Sequence, residues 1–226
     1  MNKVLCLLML LAFPLMGDDS SDEINYDKLS EAFGHLVVRH AMNPGLDLNL
    51  DKVIKGIQDE RAGKPSPLTE EEYEQTIYAI QEKLYLQTAE KNLKEATAFL
   101  ESNSKKEGIQ AIDAQLQYKV IQAGEGTEVS QESAPLIHYK GSLIDGTLFA
   151  SSEENGEPIS LPLTQTIPGI AQGVAGMKEG EKRVIYIHPE LAYGMSGQLP
   201  PNSLLIFEVE VIKAGMEAEE EIAQNE

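Results

Sequence analysis

LIHYKGSLIDGTLFASS at residues 136–152, QTIPGIAQGVAGMKEGEKRVIYIHPELAYG at 165–194 and PPNSLLIFEVEVI at 200–212 decide the fold. Leu136 to Leu143 has strand character. Asp145-Gly146 then offers the positive φ angles of a two-residue hairpin turn, with Thr147 to Phe149 as the return strand. Arg183 to His188 is a run of apolar and β-branched residues, read as a buried strand. Leu205 to Val211 alternates, with Leu205, Phe207, Val209 and Val211 on one face and Glu208 and Glu210 on the other. Between these strands Pro168-Gly169 opens a short helix that ends near Met177, with proline at a first helical position and Gly176 or Gly180 near the end. Strands with one short helix make an α+β domain whose sheet wraps the helix.

Tyr139 and Phe149 fall on the two arms of the hairpin, Tyr193 in a Tyr-Gly loop and Phe207 on the last strand. Two readings stand on spacing alone: ordinary core aromatics, or the lining of an apolar pocket that offers two hydroxyls.

The stretch resembles the FKBP-type peptidyl-prolyl isomerase domain. The resemblance rests on HYKGSLIDGTLFASS, IPGIAQGVAGMKEGEKR, HPELAYG and LPPNSLLIFEVEVI, which follow that family's order and spacing. It implies an antiparallel sheet of about five strands wrapped on one short helix, and cis/trans isomerisation of X-Pro bonds without nucleophile, metal or cofactor. By motif, Tyr139, Phe149, Ile167, Tyr193 and Phe207 would carry catalysis. Ala150, Leu161, Thr166, Ile170 and Leu199 would complete the proline pocket. Ile167 would offer its backbone N–H to the substrate, and Tyr193 its hydroxyl to a substrate carbonyl. Two positions depart from the family pattern. Ala150 replaces the aspartate of FDSS, and Ile170 stands where tryptophan is common; the chain has no tryptophan. Loss of the carboxylate would leave unpaired a buried phenol or guanidinium that relied on it, and we expect normal folding and proline binding with reduced catalysis or weaker macrolide affinity.

The 226 residues, 42% apolar, allow one large domain or two small ones. A net charge of −19 argues against nucleic acid and anionic membrane surfaces as partners. The single cysteine, Cys6, excludes an intrachain disulfide, and His35, His40, His138 and His188 do not fall at a metal-binding spacing. Residues 1–17 read as a signal peptide: Lys3 precedes the apolar run Val4 to Leu15, which is too short to span a bilayer. An uncleaved N-terminal anchor is the alternative. The expected destination is the periplasm or the outer-membrane or cell surface of a bacterium.

Residues 18–24 read as a disordered lead-in and 25–68 as a helical dimerisation domain. Leu29, Phe33, Leu36 and Val37 recur at helical spacing; Leu50, Val53, Ile54 and Ile57 repeat the pattern behind the candidate N-cap Asn49. Thr69 with Glu72 is a capping box. It opens a long helix within residues 69–107, about 35 residues and roughly 50 Å long. Its stripe lapses at Gln87 to Lys91, the pattern of a stalk that bridges two modules. The isomerase domain spans 108–214, beginning with a strand at Leu116 to Ala123, and 215–226 is an acidic disordered tail. Two short helices bury too little for a core of their own. They call for C2 pairing with a second copy, or for folding back on the sheet domain.

DLNLDKVIKGIQD, the segment 63–72 and AFLESNSKKEGI at 98–109 are similar to the N-terminal domain of Mip-type (macrophage infectivity potentiator) isomerases, exported bacterial FKBP-type proteins. That resemblance implies a V-shaped homodimer acting on proline-containing polypeptides. The function is then isomerase-assisted folding of exported proteins. A dimeric holdase with weak or no turnover is the alternative, and an adhesin rests on export alone.

Overall fold

The computed structural model describes residues 24–41, 47–152 and 156–215. The signal peptide, nearly all of the lead-in and nearly all of the acidic tail therefore lie outside the described residues. The chain divides into two compact units, residues 1–66 and 67–226.

In the first unit, α1 is Tyr26–Ala41 and α2 is Leu50–Arg61. Asn49 is extended, and its side chain accepts from the Lys52 N–H at 3.1 Å, so the expected cap is present. No residue of α2 is buried. Leu29, Phe33 and Leu36 of α1 are exposed as well.

The second unit opens with α3, Glu70–Asn103. Its start was fully legible. The Thr69 hydroxyl accepts from Glu72 N–H at 3.2 Å, and the Glu72 carboxylate accepts from Thr69 N–H at 2.9 Å. Those bonds from Thr69 hold the Glu72 carboxyl below its ordinary pKa. The middle differs from expectation. Ala89, inside the span read as wet, is only 4% exposed, because a loop of the sheet domain lies on it. Ala96 and Leu100 pack with Leu204, Phe99, Tyr186 and Ile206 against one face of the sheet. The helix stops at Asn103, short of Glu107. Buried Asn103 donates to Gln117 Oε1 at 3.1 Å, and Gln117 Nε2 donates to the Leu100 carbonyl at 2.9 Å. These two bonds join the buried amides and tie the last turn of the helix to Gln117, where the chain leaves it.

The sheet is antiparallel throughout. Its strands are β1 (Ile109–Ala111), β2 (Leu116–Gln122), β3 (Leu136–Leu143), β4 (Leu148–Ser151), β5 (Ile159–Ser160), β6 (Lys182–Ile187) and β7 (Leu205–Lys213). The order is β1-β2-β6-β7-β3-β4, with β5 added on β3, so the sheet has seven strands. The surplus over expectation comes from β1 and β5, too short to carry a period. The β3–β4 connection also differs from the expected two-residue turn. Gly146 N–H donates to Leu143 O at 3.0 Å and Leu143 N–H to Thr147 O at 2.9 Å, and only Gly146 has positive φ. This is a three-residue turn closed by a glycine bulge.

Helix α4 (Pro168–Val174) lies on the other face. It sits so close that a Cβ on Gly169 would fall 2.2 Å from Ile187 Cγ2, and one on Gly173 2.7 Å from Ile185 Cγ2. The helix ends before Met177 because the buried Arg183 guanidinium donates to Gly173 O at 3.1 Å, while its Nε pairs with Glu181. A cation on the last carbonyls satisfies the negative helix end.

Candidate active site

The hairpin, α4 and the loop after β6 enclose a cavity of about 180 Å³, lined by aromatic and aliphatic side chains. Phe207 is its hub. The Phe149 ring meets it edge-on at 5.6 Å and 85°, and the Tyr139 ring lies 6.3 Å away at 38°. Gly141, on β3 between them, allows this clustering: a Cβ there would stand 2.7 Å from Phe149 Cζ and 2.9 Å from Phe207 Cε1.

Phe149 and Ala150 are consecutive on β4, yet both line the cavity. Strand alternation would send them to opposite faces. A bulge resolves this: Gly141 pairs with Ala150 and Ser142 with Leu148, which leaves Phe149 as the extra residue. Ile170 forms the floor from α4 and is buried. Ile167 is the helix N-cap, extended, with its carbonyl accepting from Ile170 and Ala171. Its own N–H precedes the first turn, where helix geometry supplies no acceptor.

Of the residues named from sequence, Tyr139, Phe149, Ala150, Leu161, Thr166, Ile167, Ile170, Tyr193 and Phe207 line this one cavity. Leu199 does not; it packs, half-buried, against the adjoining core. Ile137, Ile159 and Val209 also line it and were not named. Ile137 stands two residues before Tyr139 and Val209 two after Phe207, so the two-residue period of a strand could have found them. Ile159 had no such signal: it reaches the wall through β5, where it pairs with Ile137.

Among the described residues the polar side chains of the lining are the hydroxyls of Tyr139, Tyr193 and Thr166, with no carboxylate, amine, imidazole or guanidinium. The expected orphan beside Ala150 is not seen. Among the described residues every fully buried side-chain nitrogen and oxygen has a hydrogen-bond partner. Arg183, the buried guanidinium, is engaged by Glu181 and by the end of α4.

Residues 125–212 match the family described as FKBP-type peptidyl-prolyl cis-trans isomerase, and residues 26–120 match the domain amino terminal to FKBP-type peptidyl-prolyl isomerase. The chain is 50% identical over 189 residues to the peptidyl-prolyl cis-trans isomerase Mip of Chlamydia pneumoniae, covering 83% of this chain and 73% of that protein. The chain belongs to the FKBP-type peptidyl-prolyl cis-trans isomerases. This isomerase is also 34% identical over 205 residues to the outer membrane protein MIP of Legionella longbeachae, across 86% of this chain and 88% of that one. Its architecture, helical region and then sheet with a short helix, matches the crystal structure of FkpA from Escherichia coli with a TM-score of 0.69. The identity there is 33%, covering 84% of this chain and 97% of that one. Relatives so close in sequence are named as isomerases, which favours turnover over a passive holdase.

Proposed function

We propose that the aromatic cavity binds the proline ring of an X-Pro segment and lowers the barrier to its rotation. Tyr139, Phe149, Ile167, Tyr193 and Phe207 act on the reacting amide. Ala150, Leu161, Thr166 and Ile170 seat the ring, and Leu199 supports the wall from behind. The carrying observation is a lining that, among the described residues, consists of apolar side chains and hydroxyls with no charged group. A planar amide resists rotation by about 18–20 kcal/mol through resonance. The twisted transition state has lost that resonance and is less polar, so an apolar enclosure stabilises it more than the ground state. The Ile167 N–H and the Tyr193 hydroxyl orient the flanking carbonyls.

The clients are proline-containing polypeptides in an exported compartment, and the working form is a homodimer paired through the first unit. The apolar run Val4 to Leu15 after Lys3 and the name of the Legionella longbeachae relative support export. Among the described residues no helix is long and apolar enough to cross a membrane. Ala150 and Ile170 make turnover slower than in members with a carboxylate and a tryptophan there.

The test is isomerisation of a short X-Phe-Pro peptide, with and without a macrolide that competes for the cavity. Loss of one hydrogen bond in Tyr193→Phe should lower kcat/KM about 3–10-fold, and Phe149→Ala should lower it further. Turnover that ignores the macrolide and survives both substitutions would place catalysis elsewhere.

A further inference from the structure

Tyr193 lines the cavity but is 47% exposed, so the cavity walls alone do not fix its ring. The loop that follows it, residues 194–202, pairs with no strand of the sheet. Its neck is closed by Asn202 N–H donating to Gly194 O at 2.7 Å. Asn202 is the one non-glycine residue with positive φ, 54°, among the described residues. Asparagine visits that region at lower cost than other side chains.

Local turn bonds (Gly194 N–H to Pro189 O at 3.0 Å, Ser196 N–H to Tyr193 O at 2.9 Å) and the packing of Leu199 on the core hold part of the loop. Helix α3 supplies its remaining long-range hydrogen bonds. The Tyr85 hydroxyl donates to Met195 O. Asn92 Nδ2 donates to Pro201 O at 2.8 Å. Asn202 Nδ2 donates to Ala89 O at 3.2 Å and lies 3.3 Å from Met195 Sδ. Positions 85, 89 and 92 fall on one face over two helical turns. Ala89 is the small residue that lets the loop approach closely enough for the last contact. The helix thus grips both ends of the loop, at Met195 and at Pro201–Asn202.

We propose that Tyr85, Ala89 and Asn92 of α3 are positioning residues of the isomerase: by clasping the 194–202 loop they hold Tyr193 in its substrate-ready place. The proposal rests on the cavity being the active site. Releasing the clasp lowers the fraction of molecules with Tyr193 in place. Substrate binding pulls that fraction back, so apparent affinity falls while the bound-state rate is kept.

The experiment uses the full chain with Asn92→Ala, Asn202→Gly and the control Lys94→Ala. Alanine is a better helix former than asparagine, so Asn92→Ala keeps α3. Glycine keeps the positive φ at 202 while deleting the amide. Lys94 is exposed and, among the described residues, pairs along the helix with Glu90. Kinetics on the X-Phe-Pro peptide well below the melting temperature should show KM raised about 3–10-fold in both clasp variants, with kcat within about twofold. Amide exchange at 194–202 should quicken in both, and the control should match the parent. A purely structural clasp lowers the melting temperature and quickens exchange but leaves KM alone; that result overturns the proposal, as does an unchanged loop. An inactive parent, or one indifferent to Tyr193→Phe, would instead sink the active-site reading itself.

Discussion

Ala150 sits on the bulged strand β4 and faces the cavity with Tyr139 and Phe207. Among the described residues no fully buried side-chain nitrogen or oxygen is left unpaired, so we expect the effect of Ala150 on chemistry and not on folding. A carboxylate there would add a charged acceptor to a wall whose described polar side chains are hydroxyls, and charge-assisted hydrogen bonds are the stronger kind. Ala150→Asp should raise kcat/KM on the X-Phe-Pro peptide and lower the melting temperature, because the new carboxylate is partly desolvated. An unchanged rate would shift the cause to Ile170 and its smaller floor. At this scale the aromatic positions were legible because motif and strand phase agree. Phe149 and Ala150 on the same wall were legible only from the motif: alternation forbids the pair, and the bulge that permits it depends on the partner strand. Leu199 stands outside the lining, in a loop held by contacts far away in sequence.

The segment after β6 carries a short 3-10 turn, Pro189–Leu191, whose first N–H is held by a histidine. His188, 7% exposed, accepts from Glu190 N–H at 3.3 Å through Nδ1, which requires an unprotonated ring nitrogen. Burial pushes its pKa below the ordinary value, and the nearby Glu190 charge opposes this only in part. The unfolded chain therefore takes up a proton first as pH falls. Stability from this group is complete above the imidazole's ordinary pKa of about 6.5 and declines below it until the folded-state pKa is passed. Melting curves from pH 7.5 to 6 should show this loss, in a range above most carboxylate titrations. His188→Asn keeps an acceptor at the cap and should flatten that slope; an equally steep slope would assign it to other groups. Among the elements, α3 was legible at its start because the capping box is local. Its docking was not, since the residues that bury Ala89 arrive only with the loop at 194–202. Strands β1 and β5 were invisible for a related reason: strands this short exist only by pairing with longer neighbours.

Taken as a whole molecule, the first unit is the part that lacks an explanation in a single copy. Phe33 is 66% exposed and Ile57 59%, with Leu29, Leu36, Leu50 and Ile54 also open to solvent. Apolar residues at i, i+4 and i+7 on α1 and α2 form stripes of the kind that ordinarily meet a partner. A second copy supplies identical stripes, and C2 pairing lets each bury the other's. Charge opposes that pairing, since every chain carries −19. Repulsion between exposed charges is screened within about 8 Å at physiological ionic strength, whereas apolar contact is not weakened by salt. The dimer should therefore tighten as salt rises, the reverse of an interface held by ion pairs. Sedimentation equilibrium should give twice the monomer mass, with a dissociation constant that falls from low to physiological salt. Phe33→Glu places a like charge in the apolar contact of both copies and should yield a monomer. Peptide turnover should persist within about twofold in that monomer, since the cavity and its clasp belong to the second unit. A parent that sediments as a monomer under every condition would leave these stripes to a different partner. A dimer that Phe33→Glu does not disturb would move the interface off α1.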